Sequence, residues 1–141
     1  MNRYLDTSAL VKLVLEEPGT PAVVELWDQA LDRFASLLAY AELRSALAAA
    51  GRSGRVPRSG AAAARLEVDT IWQRIVGVEI DEALVRTAGE LAERHRLRAA
   101  DAMHLASAMR VRDAGTVFVS FDHRLREAAA AEGFDVLPEA V

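Results

Sequence analysis

Cysteine is absent from the 141 residues, which excludes disulfides, thiolate nucleophiles and cysteine-type zinc sites. Any bound metal must be held by oxygen or imidazole ligands. No apolar run approaches the roughly 18 residues of a membrane span. The N-terminus also lacks a basic region leading into an apolar stretch and a cleavage site. The expectation is a cytoplasmic protein with no membrane partner. Lysine occurs once, as Lys12, and the other basic residues are arginine. A net charge of −4 argues against a polyanion held over a broad basic surface. It leaves room for local grips at Arg52, Arg55 and Arg58 and at Arg94, Arg96 and Arg98, because arginine makes bidentate phosphate contacts. Solvated helix ends are the alternative reading of both clusters.

What is present is 52% hydrophobic residues, enough for one domain over residues 1–141 that buries about two thirds of its unfolded surface. The first eight residues organise the rest. A short apolar run ends at Asp6, and Thr7-Ser8 precede an apolar-periodic stretch with Leu10, Val11, Val14 and Leu15. This reads as strand, acid, helix, with Ser8 as N-cap. Asp6 then sits at the carboxyl end of a strand, where open α/β sheets bind ligands. Alternatively, it only helps to cap the helix.

Glu16 to Pro21 forms a break, and Val23, Leu26, Trp27, Ala30, Leu31 and Phe34 repeat at helical spacing after it. Phe34–Ala39 reads as a second strand running into a helix that continues to Ala50. Gly51–Gly60, with three glycines and a proline, is a loop. Ala64, Val68, Ile71, Trp72 and Ile75 then stripe a long helix in which Trp72 is a core residue. Val76–Ile80 is a third strand, Asp81 caps the next helix, and Arg98–Arg112 is another. Val117–Ser120 is a strand, Asp122 caps a helix closed by Gly133, and Phe134–Leu137 is a final strand. Strands alternating with helices through short connections predict a parallel sheet with helices on both faces.

In that arrangement the upstream strands share one edge, and four acids converge on it. Asp6 ends the first strand, Glu42 follows the second, Asp101 lies one turn into a helix that starts at this edge, and Asp122 follows the fourth strand. Glu42 precedes Leu43, Ala46, Leu47 and Ala50 in the same register as Asp101 precedes Ala102, Leu105, Ala106 and Met109. At about 100° per residue, each acid lies roughly 90° from the centre of its apolar stripe, a cleft-edge position. A border residue without a task is the bland reading of each acid taken singly. Clustered carboxylates repel unless protons or cations neutralise them. Mg²⁺ or Mn²⁺ answers that need, with oxygen ligands and waters that can be aimed at a phosphodiester.

His104, one turn after Asp101, falls about 150° from the apolar stripe and is expected to face away from the core, though its spacing leaves a metal-ligand role open. His95 and His123 are expected at the surface. The role of Lys12 is open.

The segments Tyr4–Leu13, Ala41-Glu42-Leu43, Ala100–Ala108 and Val119–Leu125 resemble PIN domains, and more narrowly the VapC ribonuclease toxins of toxin–antitoxin pairs. The likeness spans nearly the whole chain in order and length. It implies a three-layer α/β/α sandwich with a five-stranded parallel sheet and metal binding by Asp6, Glu42, Asp101 and Asp122. It also implies support for those acids or their waters from Ser8 and Ser120. The implied activity is a Mg²⁺- or Mn²⁺-dependent endoribonuclease whose metal-activated water leaves a 5′-phosphate and a 3′-hydroxyl. The implied partners are RNA, a cognate antitoxin and a second copy in a homodimer. One departure is Ala41, where many relatives carry a hydroxyl before the acid.

A phosphoacceptor receiver domain would need a lysine after a late strand, and a HAD-type phosphatase an aspartate at the position of Ser8. Neither is present. A PIN-fold nuclease acting on DNA or in RNA maturation remains an alternative, as does a non-catalytic RNA- or protein-interaction module.

Overall fold

The computed structural model describes residues 1–141. Its strands are β1 (Arg3–Leu5), β2 (Arg33–Ser36), β3 (Val76–Val78), β4 (Val117–Val119) and β5 (Asp135–Leu137). They form one sheet in the order β3-β2-β1-β4-β5, with every neighbouring pair parallel. The helices are α1 (Thr7–Leu10), α2 (Thr20–Asp28), α3 (Leu38–Arg52), α4 (Ala61–Trp72), α5 (Glu82–His95), α6 (Ala99–Val111) and α7 (His123–Ala131). The predicted three-layer α/β/α sandwich with a five-stranded parallel sheet is therefore what the chain adopts.

Side-chain alternation along the strands builds two cores, one on each face of the sheet. Tyr4 pairs with Phe118 across β1 and β4, and their rings stack at 5.4 Å. They point into a core completed by Leu84, Leu91, Leu105 and Leu125 of α5, α6 and α7. Leu5, Ala35, Val117 and Val119 turn the other way, toward Leu10, Val23, Leu43 and Val68 of α1, α2, α3 and α4. Each wholly buried leucine contributes about 1.5–3 kcal/mol of transfer free energy. Because helices cover both faces, β1 is buried at all three residues and lies at the centre of the sheet.

Some boundaries differ from the sequence reading. The second strand ends at Ser36 rather than Ala39, because the Ser36 hydroxyl accepts the Leu38 N–H at 3.2 Å and turns the chain into α3. The third ends at Val78, and the last begins at Asp135, since Phe134 is drawn into the core beside Phe118. Helix α3 extends through Arg52, which shortens the Gly51–Gly60 loop. Ser8 is not the N-cap of α1. That helix starts at Thr7, and Asp6 caps it by accepting the Ala9 N–H.

Helix α6 is the most enclosed of the long helices. It packs against β2, α5 and α7, and six of its residues are buried: Ala102, His104, Leu105, Ala106, Ser107 and Ala108.

Candidate functional site

From β1 the chain moves to β2 on one side and later returns to β4 on the other, so the sheet order switches direction at β1. In parallel sheets a crevice opens at the carboxyl ends of the strands at such a point. Asp6 leaves β1 there and Ser120 leaves β4.

Asp6 is buried, with 2% exposure. Its Oδ1 accepts the Ala9 N–H at 3.0 Å and the Ser8 hydroxyl at 2.7 Å, and its Oδ2 accepts the Ser120 hydroxyl at 2.6 Å. The two serines work in mirrored fashion. Ser8 Oγ accepts the Phe121 N–H at 2.9 Å, and Ser120 Oγ accepts the Asp122 N–H at 3.1 Å. Each hydroxyl is filled by a backbone donor from the β4 side and gives its proton to Asp6. Burial pushes the Asp6 carboxyl above the usual carboxylate range, against the opposing pull of His104, Ser120, Ser8 and the Ala9 N–H.

Glu42, on α3, is reached from two elements, α1 and α6. Its Oε1 accepts the Thr7 hydroxyl at 2.6 Å and lies 2.6 Å from His104 Nε2. Thr7 thus supports the Glu42 carboxylate from α1. Burial is the largest single influence on Glu42 and would raise it. The hydrogen bonds from His104 and Thr7, with attraction to His104 when that ring is protonated, outweigh burial and hold Glu42 below the ordinary range.

His104 corrects the helical-wheel expectation. It is 2% exposed, and its Nδ1 lies 3.1 Å from the Tyr4 hydroxyl, which also accepts the Ser36 N–H at 3.1 Å. A single apolar stripe understates a helix enclosed on several sides. The readable signal was the run of small residues all round α6, Ala99, Ala100, Ala102, Ala106, Ser107 and Ala108, which permits close packing on more than one face.

Asp101, in the first turn of α6, and Asp122, the N-cap of α7, line an open depression with Leu97, Arg98, His123 and Arg124. Asp122 Oδ1 accepts the Leu125 N–H at 2.9 Å. Burial first, then the negative charges of Asp122 and Glu42, push Asp101 upward against Arg98 and His104. Glu42, Asp101 and Asp122 therefore share one electrostatic neighbourhood. No three His, Asp or Glu side chains are drawn together into a ready-made metal cage. The arrangement is four acids along one edge, each steered by different partners.

The chemistry of this donor set fits a hard divalent cation. The hydrogen bonds to Glu42 fall on Oε1 and that to Asp122 on Oδ1, leaving carboxylate oxygens with free lone pairs on the edge, and the mutual repulsion around Asp101 is what a cation relieves.

The remaining candidates divide between structural and surface roles. Lys12 pairs with Glu17 at 3.2 Å and sits 4.6 Å from the centre of the Phe121 ring. His95 is largely covered and lies 3.3 Å from Glu132, contrary to its expected surface position, whereas His123 is exposed. Of the arginine clusters, Arg55 pairs with Glu17 and Arg94 with Glu132. Arg98 stands at the rim of the depression, 85% exposed and 3.6 Å from Asp101. Trp72 packs edge-on against Tyr40 at the margin of one core. An apolar groove between α3 and α4, lined by Leu47, Ala48, Val56 and Ala64 and flanked by Arg44 and Arg65, lies along the later turns of α3. No helix is long and apolar enough to cross a membrane.

The family model for the PIN domain matches residues 3–131. Ribonuclease VapC45 of Mycobacterium tuberculosis is 42% identical over 135 residues, covering 96% of this chain and 94% of that protein. Ribonuclease VapC49 of the same species matches with the same identity and coverage. A solved toxin–antitoxin complex from Klebsiella pneumoniae superposes with a TM-score of 0.70 over 99% of this chain and 100% of that one; at 16% identity this is a likeness of fold.

Proposed function

The chain belongs to the PIN domain family, and from that premise we propose that it is a single-domain endoribonuclease, the toxin of a toxin–antitoxin pair, dependent on Mg²⁺ or Mn²⁺. The observation that carries the reading is the set of Asp6, Glu42, Asp101 and Asp122 along the carboxyl edge of the sheet, with Asp6 fixed at the switch point by Ser8 and Ser120.

Asp6, Glu42, Asp101 and Asp122 would hold the cation. A bound cation would supply an acidified water and offset charge on the phosphodiester, and hydrolysis by that water would leave a 5′-phosphate and a 3′-hydroxyl. Ser8 and Ser120 keep the Asp6 carboxylate from rotating, and Asp122 is held by its helix. Arg98, exposed beside Asp101, suits a phosphate next to the cleaved bond. Carboxylates alone would repel RNA, so the cleft would attract a phosphodiester only through its cation.

The names of the relatives support the toxin reading, and the α3–α4 groove supports an antitoxin partner. Its apolar floor and two flanking arginines suit an acidic amphipathic segment. A homodimer is part of the same proposal, checked by the mass in solution.

Purified protein should cut RNA with Mg²⁺ or Mn²⁺ and stop with EDTA. Asp6→Asn and Asp101→Asn should stop cutting while retaining the native circular dichroism spectrum. Full activity in both variants would sink the assignment, and equal cutting of a 2′-deoxy substrate would transfer it to a nuclease without RNA preference.

A further inference from the structure

We propose that His104 is a positioning residue that, braced by Tyr4, fixes Glu42 so that only one of its carboxylate oxygens is offered to the cation. The inference rests on the metal-nuclease reading and adds a residue and a geometry to it.

The donors form a chain with one direction. The Ser36 N–H of β2 donates to the Tyr4 hydroxyl at 3.1 Å, and that hydroxyl stands 3.1 Å from His104 Nδ1. With its oxygen filled by Ser36, Tyr4 has its own proton to give, which assigns Nδ1 as acceptor and Nε2 as the protonated nitrogen. His104 Nε2–H then points to Glu42 Oε1 at 2.6 Å, where Thr7 Oγ1 also donates at 2.6 Å. Both hydrogen bonds fall on Oε1 and none on Oε2, so Oε2 is the oxygen left for a ligand. Ser36 and Tyr4 are fully buried and His104 nearly so. Breaking the chain strands polar groups that water cannot reach.

Two other roles fit less well. As a metal ligand His104 would need a free ring nitrogen, but both face protein partners. As a general base it would need access to the substrate, which its burial denies. Steering a ligating carboxylate from the side away from the metal is what remains, and partners of that kind set metal affinity about 10–100-fold.

The test measures Mn²⁺ affinity without RNA, by the electron paramagnetic resonance signal of free Mn²⁺, and thermal unfolding in EDTA, for wild type, His104→Leu, His104→Gln and Tyr4→Phe. His104→Leu should weaken Mn²⁺ binding roughly 10–100-fold. His104→Gln, which keeps a donor near the Nε2 position, should stay within about threefold, and Tyr4→Phe should fall between them. In RNA cleavage the loss in His104→Leu should be recovered at high Mn²⁺, so that the apparent Mn²⁺ KM rises while kcat returns. A purely structural histidine would lower the unfolding temperature in EDTA and leave Mn²⁺ affinity unchanged. Folded His104→Leu and Tyr4→Phe that both bind Mn²⁺ within twofold of wild type overturn the proposal. Should His104→Leu not fold, Tyr4→Phe decides alone. A wild-type protein that takes up no Mn²⁺ removes the nuclease reading itself, and this inference with it.

Discussion

Asp6 and Asp81 each follow a strand, adopt an extended backbone and accept the N–H three residues on, from Ala9 at 3.0 Å and from Leu84 at 2.9 Å. As helix caps they are alike. Their surroundings differ: Asp81 follows the edge strand β3, lies in solvent and is gripped on both oxygens by the Arg110 guanidinium at 2.8 and 3.0 Å. That fork, followed by the Leu84 N–H, holds Asp81 below the usual carboxylate range. Asp6 follows the central strand, is buried, and receives hydrogen bonds only from neutral donors, so burial drives it upward. A cap already matched by a fixed cation has little left to bind. A buried cap without one is an anion awaiting a partner.

The comparison breaks most decisively through activity. Asp6→Asn should lower kcat for RNA cleavage about a thousandfold, the effect of losing about 4 kcal/mol of transition-state stabilisation. Asp81→Asn should leave it within about twofold, since no interaction of Asp81 reaches the cleft. Steady-state rates at saturating Mg²⁺ separate the two, and comparable losses would show that both aspartates act only as caps.

A second effect concerns the donors. Ser120→Ala removes a hydrogen bond from Asp6 and orphans the Asp122 N–H, so it should cost about 2 kcal/mol in urea unfolding with EDTA. Thr7→Ala removes one hydroxyl from the more accessible Glu42 and should cost about 1 kcal/mol. Equal costs would mean that burial does not distinguish the two halves of the site.

The smallest effect is read through pH. Asp101, like Asp6, is raised by folding, so the folded chain binds its proton more tightly than the unfolded chain does. Between the ordinary carboxylate range and the folded value, its ionisation lowers stability as pH rises. Asp101→Asn should therefore stabilise the metal-free protein at pH 7.5 by about 0.5 kcal/mol, a modest figure because solvent screens a half-buried carboxylate. The gain should shrink as the pH falls through the folded value and vanish only below the ordinary carboxylate range. Asp81 has the opposite sign: its contribution is present above the ordinary range and lost as pH falls through its depressed value. Urea titrations at several pH values check both. Asp101→Asn that destabilises at pH 7.5 would show that the acids do not repel one another in the empty cleft.

The sheet, its parallel sense and the edge position of the four acids were readable because they depend on the order of elements and on period, which sequence carries directly. What was missed depends on depth. His104 reads as outward-facing from a single apolar stripe, while α5, α7 and β2 enclose its helix from several directions. Ser8 reads as the cap because a hydroxyl before a helix is a good one, yet Asp6, two residues earlier, accepts the Ala9 N–H and leaves the Ser8 hydroxyl to support the carboxylate. The Tyr4–His104–Glu42 chain joins residues up to 100 positions apart, and no local pattern announces it. Thr7 at Glu42 was unreadable for the same reason, since only the fold brings α1 against α3.

The crossed serines at Asp6 also decide where the chain can change length. Ser8 depends on Phe121, and Ser120 on Asp122 and Asp6. One residue inserted between Leu5 and Ser8, or between Val119 and Asp122, moves every hydroxyl off its partner. The connection through Gly54, exposed and held by a glycine at φ +83°, carries no such registration and absorbs extra residues. A circular permutant opened at Gly54 should keep the native unfolding transition, and one opened at Thr7 should lose it, so grafted tags, reporters and new termini belong at the α3–α4 connection.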